Sequence, residues 1–409
     1  MELKTATKRT FYGPIPEDWI SCEFQDVFTG FSSGMTPHRA IPEYYRGEIP
    51  WITSGELNYN IIIDTIEKIT TDAIIKTNLK VLPIGTFLMA ITGLEAAGTR
   101  GSCAITGVEA TSNQSCMAIY PIQNKSTTSY LYHFYVRYGN ELAFKFCQGS
   151  KQQSYTGKIA KILPIILPPT LKEQTDIANA LSDTDAWINS LEQLLTKKRQ
   201  IKQGAMQELL QPKAGWEVKT IKEVAKFRRG SFPQPYGLDK WYDDYNGMPF
   251  VQVYDVDDNK RLKIDTKRKI SEEGSKFSVF VEKGSVILTI QGSIGRIAIT
   301  QYDAYVDRTL LIFESYAVKF NKYFFVTMIE LLFEKEKEKA PGGIIKTITK
   351  EALSSFEITY PDFEEQTRIA TILSDMDDEI AQLETKLAKA KQIKQGMMQE
   401  LLTGKTRLV

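Results

Sequence analysis

"QIKQGAMQELL" at residues 200–210 returns as "QIKQGMMQELL" at residues 392–402, with Ala205 against Met397 the single difference. The repeat is wider than this phrase. At a constant offset of 192, residues 173–210 fall on 365–402 without a gap, and 24 of the 38 positions are identical. Each copy opens on a helix-start pattern, Pro169-Thr170-Leu171-Lys172-Glu173 and Pro361-Asp362-Phe363-Glu364-Glu365, in which a capping residue is followed three positions later by Glu. Apolar residues then recur at Ile177, Leu181, Ile188, Leu191 and Leu195, matched by Ile369, Leu373, Ile380, Leu383 and Leu387. That three-and-four spacing makes one stripe along a long helix. The stripe slips phase before Ile201 and Ile393, where a local bend or a change of partner is expected. Thirty-eight helical residues would span roughly 57 Å at about 1.5 Å each.

These two helices divide the chain. The reading predicts a first head over residues 1–168, a first helix over 169–211, a second head over 212–360, and a second helix with a C-terminal tail over 361–409. If the second head is compact, its ends lie close together and the second helix returns antiparallel to the first. The expected architecture is α+β: two similar mixed α/β heads separated by a long antiparallel two-helix coiled coil, with a pseudo-twofold internal repeat.

The heads echo each other faintly. Gly47-Glu48-Ile49-Pro50-Trp51-Ile52 parallels Gly247-Met248-Pro249-Phe250-Val251-Gln252, "FLMAITG" from Phe87 parallels "VILTIQG" from Val286, and "GTRGSCAI" from Gly98 parallels "GSIGRIAI" from Gly292. Short β-branched runs broken by glycine and asparagine predict mainly strands. "YLYHFYVRYGNELAFKF" from Tyr130 and "YFFVTMIELLFEKEKEK" from Tyr323 read as helices.

Composition limits the function. A chain of 409 residues with 42% hydrophobic content supports two cores. Lys plus Arg total 51 against 50 Asp plus Glu, so any attraction for nucleic acid must come from local patches. The four cysteines form no CxxC pair, which argues against a zinc ribbon or a disulfide framework. "MELKTATKRTFYG" lacks a signal-peptide core, and the apolar run "ILPIIL" from Ile162 is too short to span a bilayer, so a cytoplasmic protein is expected. With two histidines, His38 and His133, there is little scope for a His-rich metal site or a Ser-His-Asp arrangement. "GKT" at Gly404 lacks the glycine that opens a phosphate loop. No catalytic residues and no metal ligands are assigned.

Groups suited to DNA are more abundant. Arg228 and Arg229 precede Gly230-Ser231, and "NKRLKIDTKRK" from Asn259 packs six cations into eleven residues, balanced between a solvated hairpin and a phosphate-contacting role. In the first head Lys151, Gln152 and Gln153 carry donors and acceptors that match base edges in a major groove, with Tyr155 beside them. Lys346 and Thr347 are the counterparts in the second head. Glycine-edged turns place Thr99 and Arg100, and Ser293 and Arg296, where a backbone can approach a ligand closely. The candidate helix seam and partner-docking set is the stripe above extended to Ile201 and Ile393.

Two diverged heads, each followed by a near-identical long helix, resemble the specificity subunits of type I restriction-modification systems. The resemblance is carried by "PWITSGELN" from Pro50, "GSIGRIAI" from Gly292, and the doubled Pro-x-x-x-EQ-x-x-Ile-Ala opening of "LPPTLKEQTDIANALSDTDAWI" and "YPDFEEQTRIATILSDMDDEI". It implies that each head recognises one half of a split DNA site and that the helices set the gap and bind modification subunits, usually two. It also implies that S-adenosylmethionine, ATP and Mg act in the modification subunits and the restriction subunit, and that this chain is not itself an enzyme. The competing reading is a non-catalytic coiled-coil scaffold whose heads bind proteins or small ligands, which gives no reason for two homologous yet diverged heads.

Overall fold

A computed structural model of the chain describes residues 7–96, 98–147, 153–339 and 348–408. It contains two compact units, Met1–Glu192 with Lys386–Val409, and Gln193–Thr385.

In the first unit the strands Phe28–Ser33, Cys116–Pro121, Phe87–Ala90, Cys103–Thr106 and Asn60–Ile62 lie side by side in that order. Every residue of Phe87–Ala90 is fully buried, which is why this central strand is a continuous apolar run rather than an alternating one. A smaller sheet holds Thr111–Ser112, Ile49–Ile52 and Lys68–Ile69, and Ile20–Glu23 pairs with Pro164–Leu167. The helix Thr128–Phe146 starts at Thr127, whose hydroxyl accepts from the Tyr130 N–H, and buries Tyr130, Phe134 and Tyr135 in the core.

The second unit repeats this plan by itself. Its sheets run Ala225–Arg229, Leu310–Tyr316, Val286–Thr289, Ile297–Ile299, and Arg268–Ile270, Met248–Val251, Ala304–Val306, Val279–Val281; Glu217–Thr220 pairs with Glu357–Tyr360. The helix Lys322–Lys339 takes the place of Thr128–Phe146. Each unit has a register shift in its first strand pair, but the extra residue lies on opposite strands, Phe31 on Phe28–Ser33 in one and Glu314 on Leu310–Tyr316 in the other. The units differ at their edges: Asn60–Ile62 gives the first unit sheets of five and three strands, whereas Val279–Val281, beside Ala304–Val306, gives the second two sheets of four.

Two helices of 39 residues each, Leu171–Leu209 and Phe363–Leu401, follow the heads. Their starts are capped as the sequence predicts: the Thr170 hydroxyl accepts from the Glu173 N–H, and the Asp362 carboxylate from the Glu365 N–H. The Gln of the EQ motif has a different task. Gln174 and Gln366 are each about 1% exposed. Gln174 accepts from the Thr127 N–H and donates to the Lys125 and Pro168 carbonyls; Gln366 accepts from the Asn321 N–H and donates to the Pro361 carbonyl. Each glutamine thus ties the start of a long helix to the backbone just before its own head's helix. Replacing Gln366 with alanine strands those groups in a buried setting, and a loss of about 2 kcal/mol from the second unit is expected by denaturant unfolding, with Gln366→Glu also destabilising.

The repeated phrase is where the structure departs most from the sequence reading. Ile177 and Leu181 pack into the first unit's core with Met397, Met398, Leu401 and Leu402. In the second unit Ile369 and Leu373 pack with Ala205, Met206, Leu209 and Leu210. The apolar end of each copy is therefore core, covering the head that precedes the other copy. The slip in the stripe marks this change of partner while Leu171–Leu209 stays one helix. It also turns Ile201 and Ile393 outward, 46% and 41% exposed, so they leave the seam assigned to them, while Lys202 and Lys394 beside them turn inward. Ile188, Leu191 and Leu195 are buried as expected, and Ile380, Leu383 and Leu387 are half-buried.

Ion pairs run antiparallel within each unit. In the first, Lys394 meets Asp185 and Lys391 meets Glu192; in the second, Lys202 meets Asp377 and Arg199 meets Glu384. Adding 192 to Asp185 and Glu192 gives Asp377 and Glu384, and subtracting it from Lys394 and Lys391 gives Lys202 and Arg199. The duplicated sequence encodes one charge pattern used twice. No helix is long and apolar enough to cross a membrane among the described residues.

Candidate nucleic-acid interface

At one end of the second head's sheet of Ala225–Arg229, Leu310–Tyr316, Val286–Thr289 and Ile297–Ile299 several connections converge. The chain leaves Ala225–Arg229 through Gly230, passes beside the end of Ala304–Val306, and a tight turn at Asp307, Arg308 and Thr309 enters Leu310–Tyr316. Backbone bonds fix the arrangement: Gly230 N–H to Leu310, Ser231 N–H to Val306, Asp307 N–H to Val251 and Ile290 N–H to Thr309, all 3.0 Å. The Asp307 carboxylate shapes the turn by accepting from the Thr309 N–H and hydroxyl. A Cβ on Gly230 would come within 2.3 Å of the Val306 carbonyl oxygen, so the close approach requires glycine.

Side chains on this rim are cationic and aromatic. Arg308 is exposed, with its guanidinium 5.1 Å from the Tyr236 ring centre. Tyr236 is half exposed and receives a bond from the Gln252 amide, whose oxygen accepts from the Tyr254 hydroxyl; Lys267 lies 4.9 Å from the Tyr254 ring. Burial, then the charge of Asp255, pushes the Tyr254 hydroxyl up to about 12, so it stays a donor at neutral pH. Arg228 and Arg229 are exposed on the strand that leads to the turn.

The first head builds the same corner from other residues. Met35 N–H bonds to Ser112, Asn113 N–H to Ile52, and Ile91 N–H to Ser115, at 2.8 to 3.0 Å. Asn113 accepts from the Ser115 N–H as Asp307 does from Thr309, and a Cβ on Gly34 would meet the Ser112 carbonyl at 1.7 Å. Gln114 is exposed where the second head has Arg308, and Ser32 and Ser33 stand where it has Arg228 and Arg229. Arg39 is exposed but held in a bidentate pair with Glu67, which keeps that carboxyl below its ordinary range.

The assigned residues divide. Arg228, Arg229 and Ser293 are exposed, and Thr99 is half-buried. Arg100 is directed inward, donating to the Leu94 and Glu95 carbonyls, so its guanidinium stabilises its own turn. Arg296 is paired with Asp258 at 2.7 Å and donates to the Val256 carbonyl. Tyr155 must be withdrawn as a DNA contact: it is 3% exposed and belongs to the first core, where the Tyr155 N–H bonds to the Ile91 carbonyl. Gln153 does lie against the 93–102 turn, exchanging bonds with Leu94 and Glu95. Lys151, Gln152, Lys346 and Thr347 lie outside the described residues.

The cation-rich "NKRLKIDTKRK" resolves toward structure. Lys260 is 6% exposed, 2.9 Å from Glu330 and 3.7 Å from Asp377, and Arg261 reaches Asp378 at 2.8 Å. Arg268 pairs with Asp244 and lies 3.7 Å from the Tyr242 ring. Only Lys267 of these joins the aromatic rim described above.

The 113–115 and 307–309 turns escaped the sequence reading, although a signal existed. Gly34-Met35-Thr36-Pro37 aligns with Gly230-Ser231-Phe232-Pro233 at an offset of 196, and both prolines are buried.

Residues 16–203 and 213–394 each match the type I restriction modification DNA specificity domain, so the chain belongs to that family, with two copies of the domain. It is 25% identical to the putative type I restriction enzyme MjaX specificity subunit of Methanocaldococcus jannaschii over 98% of this chain and 96% of that one. It is also 25% identical to the type I restriction enzyme MjaIX specificity subunit of the same organism, over 99% and 97%. In fold it is similar to the S subunit of a type I restriction-modification system from M. genitalium, with a TM-score of 0.63 at 15% identity over 94% of this chain and 96% of that one.

Proposed function

We propose that the chain is the DNA-specificity subunit of a type I restriction-modification complex, in which each head reads one half of a bipartite site. The observation that carries this reading is the pair of corners: one backbone frame, repeated in both heads, presents different side chains at its rim. Two copies of one binding surface with different chemistry suit two different half-sites on one duplex.

The long helices then serve as an antiparallel coiled-coil spacer with approximate twofold symmetry. A rod of roughly 57 Å corresponds to at most about 17 base pairs at about 3.4 Å per pair. Ile201 and Ile393, equivalent by the 192-residue offset and both exposed, are surfaces on which two modification subunits could seat alike. Methyl transfer from S-adenosylmethionine and Mg- and ATP-dependent cleavage belong to the modification and restriction subunits, and this chain is non-catalytic. The complex works in the cytoplasm. Charge supports dependence on partners: 20 cations face 20 anions through Gln211, and 31 face 30 after it. The isolated chain should therefore bind DNA weakly.

Exchanging residues 1–168 for the first head of another such subunit tests the reading. The recognised sequence should change in one half of the site, with the other half and the gap retained. A change in both halves would contradict it.

A further inference from the structure

We propose that the residue at the tip of the repeated turn reads a DNA base in each half-site, Gln114 an adenine in one and Arg308 a guanine in the other. This rests on the DNA-reading role proposed above and adds a residue and a base to each head.

The frame and the tip behave differently. In both heads the turn is fixed by an N–H from the segment after the first sheet strand, an N–H given to the neighbouring short strand, and an N–H received from the central strand's end. An Asx side chain closes it, Asn113 in one head and Asp307 in the other. A glycine packs flat against it, Gly34 or Gly230. Gln114 and Arg308 take no part in those bonds, yet they occupy the same position and are exposed. A structural role would call for one kind of side chain in one kind of frame, whereas here the frame is held and the chemistry changes.

The two side chains are those suited to bidentate reading of purine edges. Gln offers one acceptor and one donor to the N6 and N7 of adenine; Arg offers two parallel donors to the O6 and N7 of guanine. Each is partly oriented already. The Thr36 hydroxyl donates to the Gln114 carbonyl oxygen at 2.6 Å, which leaves that oxygen a second acceptor site and holds the amide plane. Tyr236 lies against the Arg308 guanidinium, a contact that consumes no N–H donor. Arg100 and Arg296, by contrast, already spend donors on their own chain.

The test uses the full chain expressed with its modification subunits in a host without other DNA methylation, with the methylated motif read by sequencing. Gln114→Ala should relax one adenine position in one half-site, Gln114→Arg should favour guanine there, and Arg308→Gln should weaken a guanine requirement in the other half. The preference between right and wrong base at that position should fall roughly ten- to a hundredfold, with the opposite half and the gap unchanged. An unchanged motif in these variants would overturn the assignment. So would a loss that is uniform across DNA sequences, with a shallower salt dependence of binding, because that is the mark of a phosphate contact. If the unsubstituted complex produced no bipartite motif, the DNA-reading role itself would fail, which is a separate result.

Discussion

Asp377→Ala is expected to destabilise the second unit by about 3 kcal/mol, and by clearly more than Asp185→Ala destabilises the first. The two aspartates are equivalent in the duplicated sequence, and each meets a lysine of the facing helix, Lys202 or Lys394. Asp377 does more. Its carboxylate also accepts from the Tyr323 hydroxyl and lies 3.7 Å from the buried Lys260, which in turn meets Glu330. Burial opposes ionisation of Asp377, but the bonds from Lys202 and Tyr323 and the charge of Lys260 outweigh it and hold its pKa below the ordinary value. Removing the carboxylate takes the paired anion from Lys202, one of two anions from the buried Lys260 and an acceptor from the Tyr323 hydroxyl, and breaking a buried charge network costs several kcal/mol where an exposed pair costs about 1 or less. Because the folded pKa is lowered, this stabilisation is full above the ordinary Asp range and is lost as pH falls through the lowered value. Hydrogen exchange resolved by unit measures the difference; equal losses in the two variants would show that the extra partners of Asp377 add nothing.

Acidification from pH 7 to 4 is expected to remove up to about 3 kcal/mol from the first unit through one residue, His133. It is 1% exposed, its Nε2 lies 2.9 Å from the Ser182 hydroxyl, and burial, helped by the charge of Lys394, pushes its pKa down to about 4. The unfolded chain takes up a proton near 6.5 while the folded one does not until about pH 4. Stability is therefore complete above 6.5, declines as pH falls through that window, and levels below 4. About 2.5 pKa units at 1.36 kcal/mol each set the limit. The measurement is unfolding free energy against pH for the natural chain and His133→Gln. The two curves should diverge between pH 6.5 and 4 by this amount; parallel curves would place His133 in contact with water.

The long helices were legible because their signals are local. Capping residues, a stripe at helical spacing and a duplication at fixed offset all lie within one stretch of chain, and Thr170 and Asp362 cap their helices as their positions predict. The fate of the repeated phrase was not legible. Whether Met206 and Met398 face a partner or a core depends on where a head separated by many residues returns, and local spacing carries no such information. The same reason separates the arginines. Arg100, Arg229 and Arg296 look alike beside glycine, but only the fold shows that Arg100 turns to its own carbonyls and Arg296 pairs with Asp258 while Arg229 is exposed on its strand. Tyr155 follows a run of polar residues, yet it lies in the core, two residues before the short helix Gly157–Lys161.

The central claim is that two heads on one chain direct methylation to a split site. It is tested most directly by sequencing methylated bases across the genome of the host with and without this gene, all partner genes intact. Loss of one bipartite methylated motif, two specified halves separated by a fixed gap, is the predicted result, and an unchanged methylation pattern would contradict it.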